Sequence, residues 1–388
     1  MLVTGQMALS TILLFGALLF VRSLMTAADM DLGFTTREAA VVDVETSAAA
    51  YSPEEQSAYN EELIRRLTTH PSITSLAVTN RLPLDLGVNN ISFDIPGVEP
   101  PPNQNRLVLE TTRVSEDYFS AMGIEILDGR AFEESDRLGS APVAILSQAA
   151  AQRYWPNERA IGKVLFPDTI QSNAITVVGV AGNAKMWSLN EAPFPYMYRP
   201  EAQAPPSTNY TLVARGNVPA AELAGLIRTE ALSIDPEVFL TQVGTLDDHL
   251  GYIYFLPRMA ALVLSLIGLL ALLLACMGLY GMVSYNVATR TREMGIRLAL
   301  GADGQRVINL VLHGGVALIL VGGAIGVAGS VLLATALRSS GFLFDVSAFD
   351  PISLLAAPLL LGAVALLATF MPARRASRVD PVQALRSE

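Results

Sequence analysis

Three histidines, one cysteine and 36 carboxylates are the residues of this 388-residue chain that could ligate a metal or move a proton. His70, His249 and His313 lie far apart. None has a second histidine or a cysteine at ligand spacing, so no metal centre is predicted. His313 falls in an apolar stretch, close enough to its end for the ring to reach the interface. Gly179-Val180-Ala181-Gly182-Asn183-Ala184-Lys185 has glycines and a lysine but not the GxxxxGK[ST] spacing that cradles phosphates, and reads as a turn after a strand. Glu133, Glu134 and Asp136 form an acidic cluster of the kind that usually makes a solvated loop. No set of nucleophile, base and oxyanion donor is visible. The residues predict neither an enzyme nor a cofactor site.

Two other spacings carry mechanical rather than catalytic meaning. In the run from Arg290 to Ala302, Arg290, Glu293 and Arg297 can share a helical face, with Glu293 and Arg297 at i,i+4, while Met294 and Leu298 form an apolar edge. Gly301 suits a helix stop and Asp303 the N-cap of a following helix. Such a short amphipathic helix serves equally as a membrane anchor or as a docking surface. Gly322, Gly326 and Ser330, four residues apart in an apolar run, form a small-xxx-small stripe that permits close helix packing, within one subunit or between two.

These segments sit in a chain that is 51% hydrophobic and only 16% charged, with mean hydropathy +0.41. Leu2 to Val21, Met259 to Thr289, Val307 to Leu337 and Pro351 to Ala373 lack Asp, Glu, Lys and Arg over enough residues to span a bilayer. The first has no basic n-region, and Arg22-Ser23-Leu24 follows it instead of a small-x-small cleavage site, so a retained span is predicted rather than a secretory signal. Arg290, Arg292, Arg297 and Arg306 lie between the second and third runs, and Arg374, Arg375, Arg378 and Arg386 follow the fourth. By the positive-inside rule both places are cytoplasmic, which puts the stretch after span one outside. Residues 26–257 carry 30 acidic and 15 basic side chains, which excludes nucleic acid as a natural partner. The one cysteine, Cys276, lies in the second span, so the outer domain has no disulfide framework and must rely on its own core.

The two ends of the outer segment read alike. Ala40 to Val44 is a β-type run, Ser52-Pro53-Glu54-Glu55 is a capping box with proline at the first helical position, and Tyr59, Leu63 and Leu67 mark one helix face. Pro71 ends that helix and Ser75 to Asn80 is the next strand. The second unit has a strand at Tyr210 to Ala214, a helix opened by Pro219 with Leu223, Leu226 and Ile227 on one face, and a strand at Val238 to Val243. Two βαβ units of matched length predict one α/β layer built from both ends. Between them, β-type runs at Ile91 to Ile95, Leu107 to Val114, Pro142 to Leu146 and Ile175 to Val180, with short helices at Ser115 to Met122 and Gln148 to Trp155, predict a mostly β insertion.

Thr289 to Ala302, with Leu279-Tyr280-Gly281 before it, resembles the signature of MacB/FtsX-like ABC transporter permeases. The tail Pro372 to Arg386 resembles the C-terminus of that family. Val114-Ser115-Glu116-Asp117-Tyr118-Phe119, Gly129-Arg130-Ala131-Phe132, Arg153-Tyr154-Trp155-Pro156, Gly162-Lys163 and Val177-Val178-Gly179-Val180 resemble its periplasmic core. The resemblance implies an α-helical membrane protein with four transmembrane helices (one plus three) and a large α+β extracytoplasmic domain of two subdomains. The expected parts are a span in 1–24 and a periplasmic core over 25–257. The core divides into a porter-like part at 30–81 and 205–250 and an insertion at 82–204. A permease domain at 258–388 would carry helices near 259–286, 308–337 and 351–372. The resemblance further implies a bacterial inner-membrane location, a separate ABC ATPase, and no catalysis or cofactor in this chain. Arg290, Arg292, Glu293, Met294, Gly295, Ile296, Arg297, Leu298, Gly301 and Ala302 would contact that ATPase. Lipid, and a second copy or a second permease half, complete the implied partners. Leu2 to Ser10 looks like the start of the second half of a duplicated permease. Efflux is the main implied role, and an FtsX-like relay to a cell-envelope hydrolase is the alternative.

Overall fold

The computed structural model describes residues 2–49, 51–85, 87–167, 174–289, 304–338, 343–347 and 349–376. They form two compact units, Met1–Asp29 with Tyr254–Glu388, and Met30–Ile253. Among the described residues four helices are long and apolar enough to cross a membrane. They are α1 (Leu2–Ala28), α6 (Leu246–Thr289), α7 (Gly304–Arg338) and α8 (Pro351–Ala376). The helix of the second apolar run begins at Leu246, well before Met259, because Thr245 and Asp248 cap it: Asp248 Oδ2 accepts from the Thr245 amide (3.1 Å) and the Thr245 hydroxyl accepts from the Asp248 amide (3.1 Å). Pro257 lies inside α6 and deprives the Ile253 carbonyl of its helical donor.

The mixed α/β unit is organised on one eleven-stranded sheet. At one end it places β11 (Phe239–Thr245), β1 (Ala40–Glu45), β10 (Asn209–Gly216) and β2 (Ile73–Thr79) side by side, all antiparallel. This is the interleaving of two split βαβ units. Helices α2 (Pro53–Thr68) and α5 (Ala220–Ile234) cover one face. The α2 start is fixed by its capping box, in which Glu55 Oε2 accepts from the Ser52 amide (2.9 Å) and the Ser52 hydroxyl accepts from the Glu55 amide (3.3 Å). Leu63, Leu67, Leu223 and Ile227 from the two helices are fully buried with Val42, Val44 and Leu212 from the strands. Each such burial contributes about 1.5–3 kcal/mol as an upper figure.

Beyond β2 the sheet continues through β4 (Leu107–Val114), β9 (Tyr196–Pro200), β6 (Val143–Ser147), β8 (Ile175–Ala181) and β5 (Ile126–Gly129). β3 (Asn90–Phe93) pairs with β4, and β7 (Val164–Leu165) with β8. Helix α4 (Gln148–Tyr154) packs on this part, and its Ala150 and Tyr154 join a second core with Phe93, Leu109, Leu146 and Val177. Helix α3 (Tyr118–Met122) ends at Gly123.

Candidate functional site

The small-residue stripe of α7 lies against α1. A β-carbon built on Gly322 would stand 2.6 Å from Met7 Cβ and 3.1 Å from the Thr4 carbonyl oxygen. One on Gly326 would overlap Thr11, and one on Gly329 would meet Ile12 Cδ1 at 2.5 Å. Only hydrogen at these positions lets the two backbones approach so closely. Ser330, also fully buried, donates to the Gly326 carbonyl (2.8 Å), and Thr11 donates to Met7 (2.8 Å), so both hydroxyls are satisfied within their own helices. The most apolar stretch of α1 is 56% buried, against 22–28% for the other three helices, so α1 is the centre of this bundle.

The far end of α1 is tied by polar contacts. The Arg22 guanidinium donates to both oxygens of Asp350 (2.8 and 2.9 Å), and the Asp350 carboxylate also caps α8 through the Ser353 amide (2.7 Å). The Ser23 hydroxyl accepts from the Phe344 amide (2.7 Å), and Tyr254 donates to the Ala27 carbonyl (3.3 Å).

Both chain segments adjoining the spans are docked inside the α/β unit. Leu32 O accepts from the Lys185 amide (2.9 Å), the Thr35 amide donates to Met122 O (2.7 Å), and Arg215 of β10 holds the carbonyls of Thr35 (2.6 Å) and Arg37 (2.5 Å) as well as that of Ala121. Burial pulls this guanidinium below its ordinary value. Gly33 has a positive φ of 74° and runs so close to Asn183 that a side chain would collide with its carbonyl oxygen. At the other end the Leu246 amide donates to Ala39 O (2.9 Å), and Leu246 and Leu250 are buried. Nearby, burial raises Asp43, opposed by the Thr211 hydroxyl (2.6 Å) and by His249, whose Nδ1 lies 3.3 Å from the Gln242 side chain.

Of the other residues singled out in sequence, Arg290, Arg292, Glu293, Met294, Gly295, Ile296, Arg297, Leu298, Gly301 and Ala302 lie outside the described residues, between the end of α6 and the start of α7. The acidic cluster divides. Glu133 and Glu134 are exposed, whereas Asp136 is buried and bound to Arg130 (2.7 and 3.0 Å) and to the Glu133 amide (2.9 Å). Arg130 closes this loop on itself, which sequence spacing did not reveal. No group of three or more metal-ligating side chains occurs among the described residues.

Two family models cover the chain. The MacB-like periplasmic core domain matches residues 4–229, more than half of its length, and the FtsX-like permease C-terminal domain matches residues 265–381. The macrolide export ATP-binding/permease proteins MacB of Escherichia coli (strain K12) and Shigella sonnei (strain Ss046) are each 29% identical over 281 residues, 71% of this chain. The chain spans 43% of the length of these curated relatives. Solved structures similar to it include the periplasmic region of MacB from Actinobacillus actinomycetemcomitans, at 14% identity and a TM-score of 0.37. That match covers 57% of this chain and 94% of the other. Another is the extracellular domain of the noncanonic ABC-type transporter YknZ from Gram-positive bacteria, at 14% identity and a TM-score of 0.34, covering 52% and 100%. With its four apolar helices and its mixed α/β extracytoplasmic unit, this multi-pass membrane protein belongs to the MacB/FtsX-like family of ABC transporter permeases.

Proposed function

We propose that the chain is the permease subunit of an ABC transporter in which a cytoplasmic ATPase drives motion of the extracytoplasmic domain. The observation that carries this reading is the docked segment after α1. A flexible linker would absorb a displacement of α1. Residues 32–37, held by backbone and Arg215 hydrogen bonds, pass it into β10, α3 and the 183–185 turn. The capped junction of β11 with α6 gives the second connection the same stiffness.

On this reading ATP is hydrolysed by a partner. Arg290, Arg292, Glu293, Met294, Gly295, Ile296, Arg297, Leu298, Gly301 and Ala302 form the projection that this ATPase grips between α6 and α7. The chain works in the bacterial inner membrane as a homodimer or with a second permease half. The apolar outward faces of α6, α7 and α8 meet lipid or that second half. The outer domain divides into a porter-like part, 30–81 with 205–250, and an inserted part, 82–204, each built on one of the two separate cores. Efflux is favoured over a relay to an envelope hydrolase because the curated relatives are named for export.

The test is co-purification of the cognate ATPase with the full chain and with an Arg297→Glu, Gly295→Pro variant. Proline in a helix interior costs about 3 kcal/mol or more locally, a penalty that does not touch the outer domain. Loss of the ATPase from a variant that still inserts supports the assignment. Undiminished binding and ATPase activity reject it.

A further inference from the structure

Helix α3 and the loop that follows β5 face each other across an open groove of about 630 Å³. Its floor is apolar, made by Phe119 of α3, Ile126 of β5, and Ala131 and Phe132 of the loop. That floor is packed from below. The Phe119 ring lies 5.0 Å from the ring of Tyr198 and 6.0 Å from that of Phe132, and the two phenylalanines are only 3% and 5% exposed. The walls are fixed as well. α3 closes at Gly123, whose left-handed φ of 68° lets the Ile124 amide return to the Phe119 carbonyl (2.9 Å). Asp136 ties the loop to itself through the Glu133 amide (2.9 Å) and Arg130 (2.7 Å). The groove is therefore formed before anything enters it.

Its rim carries charge of one sign. Glu116 and Asp117 stand at the start of α3, Glu133 and Glu134 on the opposite loop, and all four are exposed. Glu133 shares Arg130 with Asp136, at 3.6 Å from Nε. Glu116, Asp117 and Glu134 have no ion-pair partner among the described residues. The Glu116 carboxyl is raised above its ordinary value, by partial burial first and then by Asp117 and Glu134, so the two walls feel each other's charge across the groove. Like charges gathered over an apolar floor repel, and a cation laid between them relieves that repulsion.

The shape of the groove separates two kinds of cationic ligand. A small molecule is held where about 70–90% of its surface is enclosed. This groove is open, and its almost buried phenylalanines offer little area to a compact ligand. A chain segment can use more. β5 is the last strand of the sheet and pairs only with β8 among the described strands, so the backbone beside Ile126 can bond an extended chain. We propose that the groove docks a basic, extended segment of a partner protein, with an apolar side chain over Ile126 and Ala131 and flanking lysine or arginine side chains against Glu116, Asp117 and Glu134. The net negative charge of residues 26–257 steers such a segment toward the domain. The inference is independent of the ATPase coupling proposed above and of any cargo.

The probe is a fluorescent hexapeptide of alternating lysine and leucine, titrated against the full chain in phosphatidylcholine nanodiscs with empty nanodiscs as the blank. Saturable binding is expected, and it should weaken at least fivefold in Glu116→Gln, Glu134→Gln. A control, Glu54→Gln with Glu237→Gln, removes the same charge from exposed positions at the other end of the sheet and should leave the affinity within twofold. Ala131→Gln fills the partly exposed floor without changing charge and should also weaken binding at least fivefold. No saturable binding to the wild type overturns the proposal. So does an equal loss in the control, or binding that survives Ala131→Gln, since either makes the attraction one of diffuse charge. A lysine–leucine dipeptide that binds as tightly as the hexapeptide makes the groove a small-molecule site and overturns the partner assignment.

Discussion

Gly322 and Met7 stand so close that a β-carbon on the glycine would lie 2.6 Å from that of the methionine, which makes the α1–α7 packing intolerant of any side chain at this point. One position on, Gly323 has nothing within 4 Å of such an atom. Gly322→Ala is therefore expected to destabilise the bundle by about 1–3 kcal/mol through overpacking. Gly323→Ala should be neutral or stabilise by up to about 1 kcal/mol through helix propensity. Thermal unfolding of the two variants in the same detergent checks the difference.

Arg22 and Asp350 should couple in a double-mutant cycle. Asp350 is nearly buried and also caps α8, so Arg22→Ala leaves a carboxylate with one partner fewer. A charged hydrogen-bonded pair of this kind is worth about 1.5–3 kcal/mol. Asp350→Asn should lower stability by a similar amount, and the double variant should cost less than the sum of the two. Additive losses would mean that the pair contributes nothing.

Arg215 is expected to control the segment after α1. Arg215→Met keeps much of the stem but removes every donor to Thr35, Arg37 and Ala121. Limited proteolysis should then cut between residues 30 and 38 at least tenfold faster than in the wild type. Gly33→Ala, which forces a side chain into the Asn183 carbonyl at a positive φ, should do the same with all of the arginine bonds nominally available.

Asp136 gives a pH signature. Its hydrogen bonds from Arg130 hold the carboxyl below its ordinary value of 3.8, against the opposing effect of burial. A lowered folded-state value contributes stability that is present above 3.8 and lost as pH falls through the folded value. Asp136→Asn should therefore cost about 1–2 kcal/mol at pH 7, between an exposed ion pair and a charged hydrogen bond. The gap to the wild type should narrow as pH drops below about 4. Urea unfolding at a series of pH values measures it.

Much of the local structure was legible because its signals are local. Ser52 and Glu55 announce α2, and the Tyr59, Leu63 and Leu67 spacing announces its buried face. β9 is hard to read in the sequence because Pro195 precedes and Pro200 ends a five-residue run, although the strand lies inside the sheet between β4 and β6. The Thr245 and Asp248 box that starts α6 is a weak signal beside the much stronger apolar run after Met259. The Gly322, Gly326 and Ser330 stripe was readable as a packing surface, but spacing cannot name what packs on it. α1 lies more than 300 residues away in sequence. Arg215 carries no motif at all, since its function depends on three carbonyls brought together only by the fold.

In the proposed mechanism, ATPase motion reaches the outer domain through its docked connections. Hydrogen exchange on the full chain with its ATPase in nanodiscs, with and without ATP, measures this at the amides of Thr35, Lys185 and Leu246, each a donor in a docking bond. ATP is expected to change exchange at all three by several-fold in the wild type and at none of them in the Arg297→Glu, Gly295→Pro variant. Exchange that is identical with and without ATP, in a preparation whose ATPase is turning over, would contradict it.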